Sequence, residues 1–272
     1  MESASSQFAQ LKSAMKTTWM SGDFGEVAKY AAREGEIFVS RLSLTPGQHV
    51  LDVACGTGNA TIPAARTGAQ VIGVDIATNL LDQARQRAAA EKLPVKFQEG
   101  DAEELPFADA EFDVVMSMFG AMFAPRPERA AAQLLRVTKP GGLVAMANWT
   151  PEGFVGKSFR VTSKISPPPS GIQPPVLWGD EQVVKQRFTG GVSSLTTTRR
   201  PMQFQFPFPP KEVVAFFRKY FGPTAAAFSR LDAAGQTQLA QALETLWIEN
   251  NKSKDGGTVI ESEYLEVRAV RA

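Results

Sequence analysis

The segment Val50-Leu51-Asp52-Val53-Ala54-Cys55-Gly56-Thr57-Gly58-Asn59-Ala60-Thr61 constrains this chain more than any other. An apolar run ends on a glycine turn, and the turn opens a helical pattern that reads from about Gly58 to Arg66. Glycines at such a turn let the backbone approach a ligand closely. The unit then repeats. Strand patterns at residues 49–53, 70–75, 95–98, 112–117 and 143–147 alternate with helical ones. One helix carries Leu80, Leu81, Ala84 and Ala88 on a single face, and another carries Ala130, Leu134 and Val137 at i, i+4 and i+7. Lys139, followed by Pro140-Gly141-Gly142, supplies a basic last turn and then breakers. Strands alternating with helices in this way predict an α/β fold on a parallel sheet.

Four regions follow. Residues 1–45 read as a helical lead, and residues 46–150 as the α/β core. Residues 151–256 form a looser, cap-like region. It opens on a Pro-rich connector that runs to Pro174-Pro175, then a short helix near 181–188 and a strand near 192–198. Residues 201–256 read as a helical insertion over the sheet's ligand-binding edge. Val213, Phe216, Phe217, Tyr220 and Phe221 mark one of its helices, and Leu239, Leu243, Leu246 and Trp247 another. Residues 257–272 are a β-rich run suited to completing the sheet as an antiparallel strand.

Composition excludes several function classes. The net charge is +1, with acids and bases interspersed, so no basic stripe counts out phosphates and no nucleic-acid partner is expected. Arg199-Arg200 is an isolated pair and reads as a solvated strand end. No apolar run approaches the roughly 18 residues that span a bilayer. The first residues lack the apolar core of a signal peptide, so we expect a cytoplasmic protein without a membrane partner. One cysteine and one histidine rule out an intramolecular disulfide and a cysteine metal cage. His49 begins the first strand, at the end away from the turn, and is not expected to be catalytic. Cys55 reads as a small turn residue, and no acidic cluster nominates a metal.

Three carboxylates lie where neighbouring strands end. Asp52 sits four residues before Gly56, where a phosphate would gain nothing from it and an ammonium group would. Asp75 ends the second strand, 19 residues after Gly56, where a carboxylate can accept hydrogen bonds from both hydroxyls of a ribose. Asp101-Ala102 follows the third strand, where an Asp side chain and the next amide can read the edge of adenine. An NAD-dependent oxidoreductase is the rival reading, but its third glycine or alanine is replaced here by Thr61. A non-catalytic ligand-binding protein is the other.

Taken together, VLDVACGTG (50–58), GVDIATNLLDQARQRA (73–88), FQEGDAEELPFADAEFDVVMS (97–117) and LLRVTKPGGLVAMANW (134–149) resemble the class I S-adenosylmethionine (SAM)-dependent methyltransferases. Within them they are similar to the type 11 small-molecule branch, which includes the ubiquinone/menaquinone methyltransferases. The resemblance implies a Rossmann-like sheet of order 3-2-1-4-5-7-6 with strand seven antiparallel. It implies SAM as cofactor and S-adenosylhomocysteine as product. It further implies that Asp52, Ala54, Gly56, Thr57 and Gly58 form the methionine end and that Asp75 holds the ribose. Ile76 and Leu80 would pack on the nucleoside, Asp101 and Ala102 would read adenine, and Met118 and Phe119 would line the floor. Ala54 stands where the family often has its first glycine, which implies a slight backbone shift with binding intact.

On the substrate side, Met122, Trp149 and Phe154 are the expected wall. Trp19 and Phe24 belong to an N-terminal segment that reads either as a lid or as a packed helix end. Trp178 belongs to a closing loop or anchors one. Methyl transfer from a sulfonium is an in-line displacement that asks chiefly for alignment and exclusion of water. The expected acceptor is a small apolar or aromatic molecule with a reactive O, S, N or C atom, and no side chain is nominated as a base.

Overall fold

The structure, a computed structural model, describes residues 4–169 and 171–272. The first three residues of the helical lead lie outside it. The lead forms α1 (Ala4–Met20), α2 (Phe24–Ala28), a 3-10 turn (Lys29–Ala31) and α3 (Ala32–Leu42). The core follows as β1 (His49–Val53), α4 (Thr61–Arg66), β2 (Gln70–Asp75), α5 (Thr78–Ala90), β3 (Lys96–Glu99), β4 (Phe112–Met118), a 3-10 turn (Ala121–Phe123), α6 (Pro127–Val137) and β5 (Thr138–Trp149). The remainder is α7 (Phe154–Ile165), a 3-10 segment (Pro175–Gly179), α8 (Glu181–Arg187), β6 (Val192–Phe206), α9 (Pro210–Tyr220), α10 (Gly222–Ser229), α11 (Ala233–Asn250) and β7 (Thr258–Arg271).

The strands form one sheet of order β3-β2-β1-β4-β5-β7-β6. The first five are parallel, and β7 runs antiparallel to β5 and β6. The central strands are apolar on both faces: Val50, Leu51 and Val53 of β1 and Val114, Val115 and Met116 of β4 are all buried. A parallel sheet covered by helices on both sides demands that pattern. Pro127 opens α6, where its missing N–H costs nothing, and Ala130, Ala131, Leu134 and Val137 turn that helix's apolar face to the sheet. The strand order reverses between β1 and β4. Open α/β sheets form their ligand crevice at such a reversal, beyond the carboxyl ends of the strands.

Four details differ from the sequence reading. Helix α4 starts at Thr61 rather than near Gly58, because Gly56 and Gly58 hold φ of +53° and +84° and cannot belong to it. Strand β5 begins at Thr138, with the breakers Pro140 to Gly142 inside its irregular start; its register against β4 shifts there.

Strand β6 does not stop near 198 but runs to Phe206. It pairs only with β7, and an edge strand tolerates the missing N–H of Pro201. The alternation of buried Met202, Phe204 and Phe206 with exposed Gln203 and Gln205 continues the strand beyond that proline.

Arg199 and Arg200 accordingly lie within β6 rather than at its end, although Arg199 stays exposed. Arg199 bridges Glu152, Glu181 and Glu263. Arg200 turns to the other face, 3.4 Å from the buried Glu266. That face carries a charge-balanced network. Arg41 donates to Glu266 at 2.7 Å and to the Tyr264 hydroxyl, which in turn donates to Glu34, so α3 is tied to β7. Trp178 is an anchor: it is fully buried in its 3-10 segment beneath the Arg187 guanidinium, 4.5 Å from the ring centroid.

Candidate active site

The glycine turn is the first wall of a cavity of about 800 Å³ at the strand ends. Its backbone follows a path few side chains tolerate. Ala54, Gly56 and Gly58 all have positive φ. Ala54 (φ 55°) thus keeps the conformation a glycine would favour, at a cost of about 1–3 kcal/mol. The turn is braced from three sides. Arg87 of α5 donates to the Thr57 carbonyl at 2.6 Å and to Asn59 Oδ1 at 2.8 Å. Asn59 Nδ2 donates to the Ala28 carbonyl at 2.8 Å. Ser117 Oγ donates to the Val53 carbonyl at 2.7 Å. None of these braces was visible in the sequence, because each joins residues far apart in the chain.

Asp75 stands on the cavity wall with its carboxylate already oriented. One oxygen accepts from the Gly56 amide and the other from the Ala77 amide, each at 2.8 Å. Burial raises its pKa, and these amides oppose the rise. Asp101 lies on the same wall, its Oδ1 accepting from the Glu103 amide at 2.8 Å and its Oδ2 paired with Lys12. Asp52 stands behind the turn instead. Its Oδ2 accepts from Thr61 Oγ1 at 2.5 Å, while its buried Oδ1 has no hydrogen-bond partner among the described residues. Burial, with Asp75 nearby, pushes its pKa up to about 7.

The other expected residues divide in the same way. Ala54, Gly56, Thr57, Ile76, Leu80, Ala102, Met118 and Phe119 line the cavity, as do Trp19, Phe24, Trp149 and Phe154. Three do not. Asp52 is covered by the turn. Gly58 packs under it, where an added Cβ would meet Ile62 and Ala84 at about 3.5 Å. Met122 is buried in the core, since the 3-10 turn presents Phe123 to the cavity in its place. Cys55 borders the cavity, but its Sγ lies 2.9 Å from where a Gly73 Cβ would be, so the thiol fills space beside β2. Burial and the nearby carboxylates raise its pKa, which leaves it an inert thiol. His49 is exposed at the far end of β1.

Beyond the strand ends the cavity becomes an aromatic chamber. Phe119 (φ 55°) stacks on Trp149 with centroids 3.7 Å apart, and Phe154 meets Trp247 edge-on at 4.5 Å. Phe159, Phe204, Phe217 and Phe221 complete it. Helix α1 crosses its mouth. Lys12, Met15, Lys16 and Trp19 form one helical face on the cavity. Lys12 pairs with Asp101 and with the fully buried Glu103, and Lys16 with Glu99. Trp19 packs against Phe24, Phe123 and Phe221 at 5.0–5.7 Å. The lysine spacing was legible in the sequence, but the acids they pair with were not. Among the described residues no His/Cys/Asp/Glu group is placed to hold a metal, and no helix is long and apolar enough to cross a membrane.

Comparison with known proteins bears on this arrangement. A family profile described as a methyltransferase domain matches residues 51–146, which include the glycine turn and the ends of β1, β2 and β4. An uncharacterized protein of Mycobacterium tuberculosis is 37% identical over 256 residues, 93% of either chain. A demethylmenaquinone methyltransferase of Renibacterium salmoninarum is 39% identical over 118 residues, 43% of this chain and 48% of its own. Among solved structures, the YcgJ protein of Bacillus subtilis shares the fold, with a TM-score of 0.63 at 17% identity over 88% of this chain and 98% of its own.

The chain belongs to the class I SAM-dependent methyltransferases.

The cofactor of this methyltransferase is SAM, and the cavity suits it in shape and chemistry. An adenosine needs an acceptor for its ribose and a partner for its adenine edge, and Asp75 and Asp101 line the cavity together with Ile76 and Leu80, which lie between them in sequence. A positively charged amino-acid end needs negative charge near the turn, and the orphaned Asp52 Oδ1 lies directly behind it. Thr61, which breaks the dinucleotide fingerprint, is the residue that hydrogen-bonds Asp52.

Proposed function

We propose that this methyltransferase moves the methyl group onto a small apolar or aromatic acceptor by in-line displacement, with alignment and desolvation supplying the rate. The observation that carries the reading is the continuity of the cavity. It runs unbroken from Asp75 and Gly56 into the chamber of Trp19, Phe123, Phe159 and Trp247. When bound, SAM would supply a methyl group already activated by a positive sulfonium. The protein's part is to hold and to exclude. Asp75 accepts from the ribose hydroxyls, Asp101 and the Ala102 amide read adenine, and Gly56 and Thr57 follow the methionine end while Asp52 offsets its charge. Ile76 and Leu80 pack on the nucleoside, and Met118 and Phe119 form the floor.

Alignment of this kind contributes about 7–11 kcal/mol to barrier lowering. Aromatic faces beside a cation add about 0.5–2 kcal/mol. The relative named as a demethylmenaquinone methyltransferase supports a small-molecule acceptor.

Titration calorimetry with SAM, S-adenosylhomocysteine and NAD, followed by turnover assays with ring compounds and with polar amino acids, tests the reading. We expect binding of the first two only, and methylation of ring compounds only. Methylation confined to polar acceptors would refute the chamber's role, and SAM binding without any turnover would return the protein to a ligand-binding role.

A further inference from the structure

Among the described residues, the charged side chains on the cavity wall are all gathered in the cofactor half. Lys12 and Lys16 come from α1, Asp75 and Glu99 from the ends of β2 and β3, and Asp101 and Glu104 from the loop after β3. Both lysines are ion-paired, and the Asp75 oxygens are held by amides. The remaining titratable group, the Cys55 thiol, is turned toward β2. The acceptor half is walled by the ends of β5 and β6 and by α7, α9, α10 and α11. Among the described residues these elements place no titratable side chain on it.

What they do place there, besides apolar surface, is three hydroxyls. Ser158 and Thr162 stand one helical turn apart on α7, and Thr224 of α10 lines the same cavity. Ser158 Oγ donates to the Phe154 carbonyl at 3.1 Å, and Thr162 Oγ1 to the Ser158 carbonyl at 2.9 Å. A hydroxyl rotor can hold its proton on its own helix or swing it into the cavity. These groups can therefore hold an O–H or its anion without exchanging a proton.

Two consequences follow. Among the described residues no titratable side chain of the acceptor half is in place to take a proton from the acceptor, where a base must lie within hydrogen-bond reach. In addition, a sulfonium at one end of this chamber attracts an anion and repels an ammonium, because charges act strongly on one another where water is excluded. We infer that the acceptor is a flat aromatic alcohol or thiol that reaches its reactive anion by its own ionisation, oriented by Ser158, Thr162 and Thr224. Its proton leaves to bulk water, and the anion's lone pair forms the new bond to the methyl carbon. The C–S pair returns to sulfur, and both reacting atoms end neutral. This rests on the methyl-transfer reading above.

The test uses the full chain with SAM and three probes on one ring system: 2-naphthol, 2-naphthalenethiol and 2-naphthylmethylamine, whose amine is an ammonium at neutral pH. SAM binding is first recorded by calorimetry, and methylated products are then followed by mass spectrometry as kcat/KM against pH. Each O or S probe should show a midpoint at its own acidity, lower for the thiol, with the amine unmethylated. The Ser158→Ala/Thr162→Val variant should raise KM for 2-naphthol about tenfold and leave the midpoint in place. A midpoint common to naphthol and thiol would reveal a protein base and overturn the inference. So would preferential methylation of the amine, an unchanged KM in the variant, or no turnover of naphthol and thiol by protein that binds SAM. Failure to bind SAM would instead overturn the reading beneath it.

Discussion

Asp75 and Asp52 lie at the ends of neighbouring strands and are treated oppositely by their surroundings. Asp75 has two amides directed at it and a face on the cavity, so its charge is prepared for a ligand. Asp75→Ala removes the ribose acceptor. We expect SAM affinity to fall more than tenfold, on the order of 1.4 kcal/mol or more, by titration calorimetry; unchanged affinity would remove the ribose assignment.

Asp52 is buried with one oxygen unpartnered, and its folded pKa of about 7 exceeds the ordinary 3.8. Between those values the folded state holds a proton that the unfolded chain has lost. Stability therefore falls as pH rises from near 4 to near 7 and is level above. Asp52→Asn cannot ionise, so without ligand it should melt above the parent at about pH 8, by up to about 4 kcal/mol, and the gap should close toward about pH 4. A gap independent of pH would show that Asp52 is not the group that titrates.

At the scale of elements, β1 and β4 are each followed at once by a non-glycine residue in the left-handed region, Ala54 and Phe119. These neighbouring strands form the reversal point of the sheet, so the two strained turns meet there. Gly120 lets them touch: a Cβ on it would lie 2.3 Å from the Ala54 carbonyl and 2.7 Å from its Cβ. Gly120→Ala should push the turn out of place and weaken SAM binding at least tenfold, on the order of 1.4 kcal/mol, with far-UV circular dichroism unchanged. Parental affinity would mean that the turn yields freely.

Helix α1 makes a parallel case. It is pinned along its middle and C-terminal half by Lys12, Lys16 and Trp19. It also docks on α10 so closely that a Gly222 Cβ would lie 1.9 Å from the Thr18 carbonyl. Deleting residues 1–20 should open the chamber to water and lower kcat while leaving a folded sheet. Full activity would show that α1 is packing rather than closure. The helix and its basic face could be read from spacing, whereas its seat over the cavity depends on Glu99 and Asp101, more than eighty residues away.

At the scale of the whole molecule, the cavity joins elements from both halves of the chain. Helix α1, the ends of β1, β2 and β4, and the α9–α11 insertion all border one cavity. Ligand binding should therefore stabilise the fold as a unit. SAM at a hundred times its Kd should contribute about 2.7 kcal/mol, a rise in Tm of roughly 5–10 °C by calorimetry. A melt that separates into a shifted and an unshifted transition would show that the insertion unfolds on its own.

The α/β class, the strand order through the family resemblance, and the carboxylates at three strand ends were all determined by sequence, because each is written in local patterns of apolar period, glycine turn and strand-end acid. Tertiary structure alone decided which of those acids meets the cavity, placing Asp75 and Asp101 on its wall and Asp52 behind the turn. It also carried β6 through Pro201, because only the fold shows that strand to be an edge. It exchanged Met122 for Phe123 through the phase of one 3-10 turn, and it gathered the ionisable groups into one half of the cavity. Burial and partnering depend on residues brought together from distant parts of the chain, and no local pattern records them.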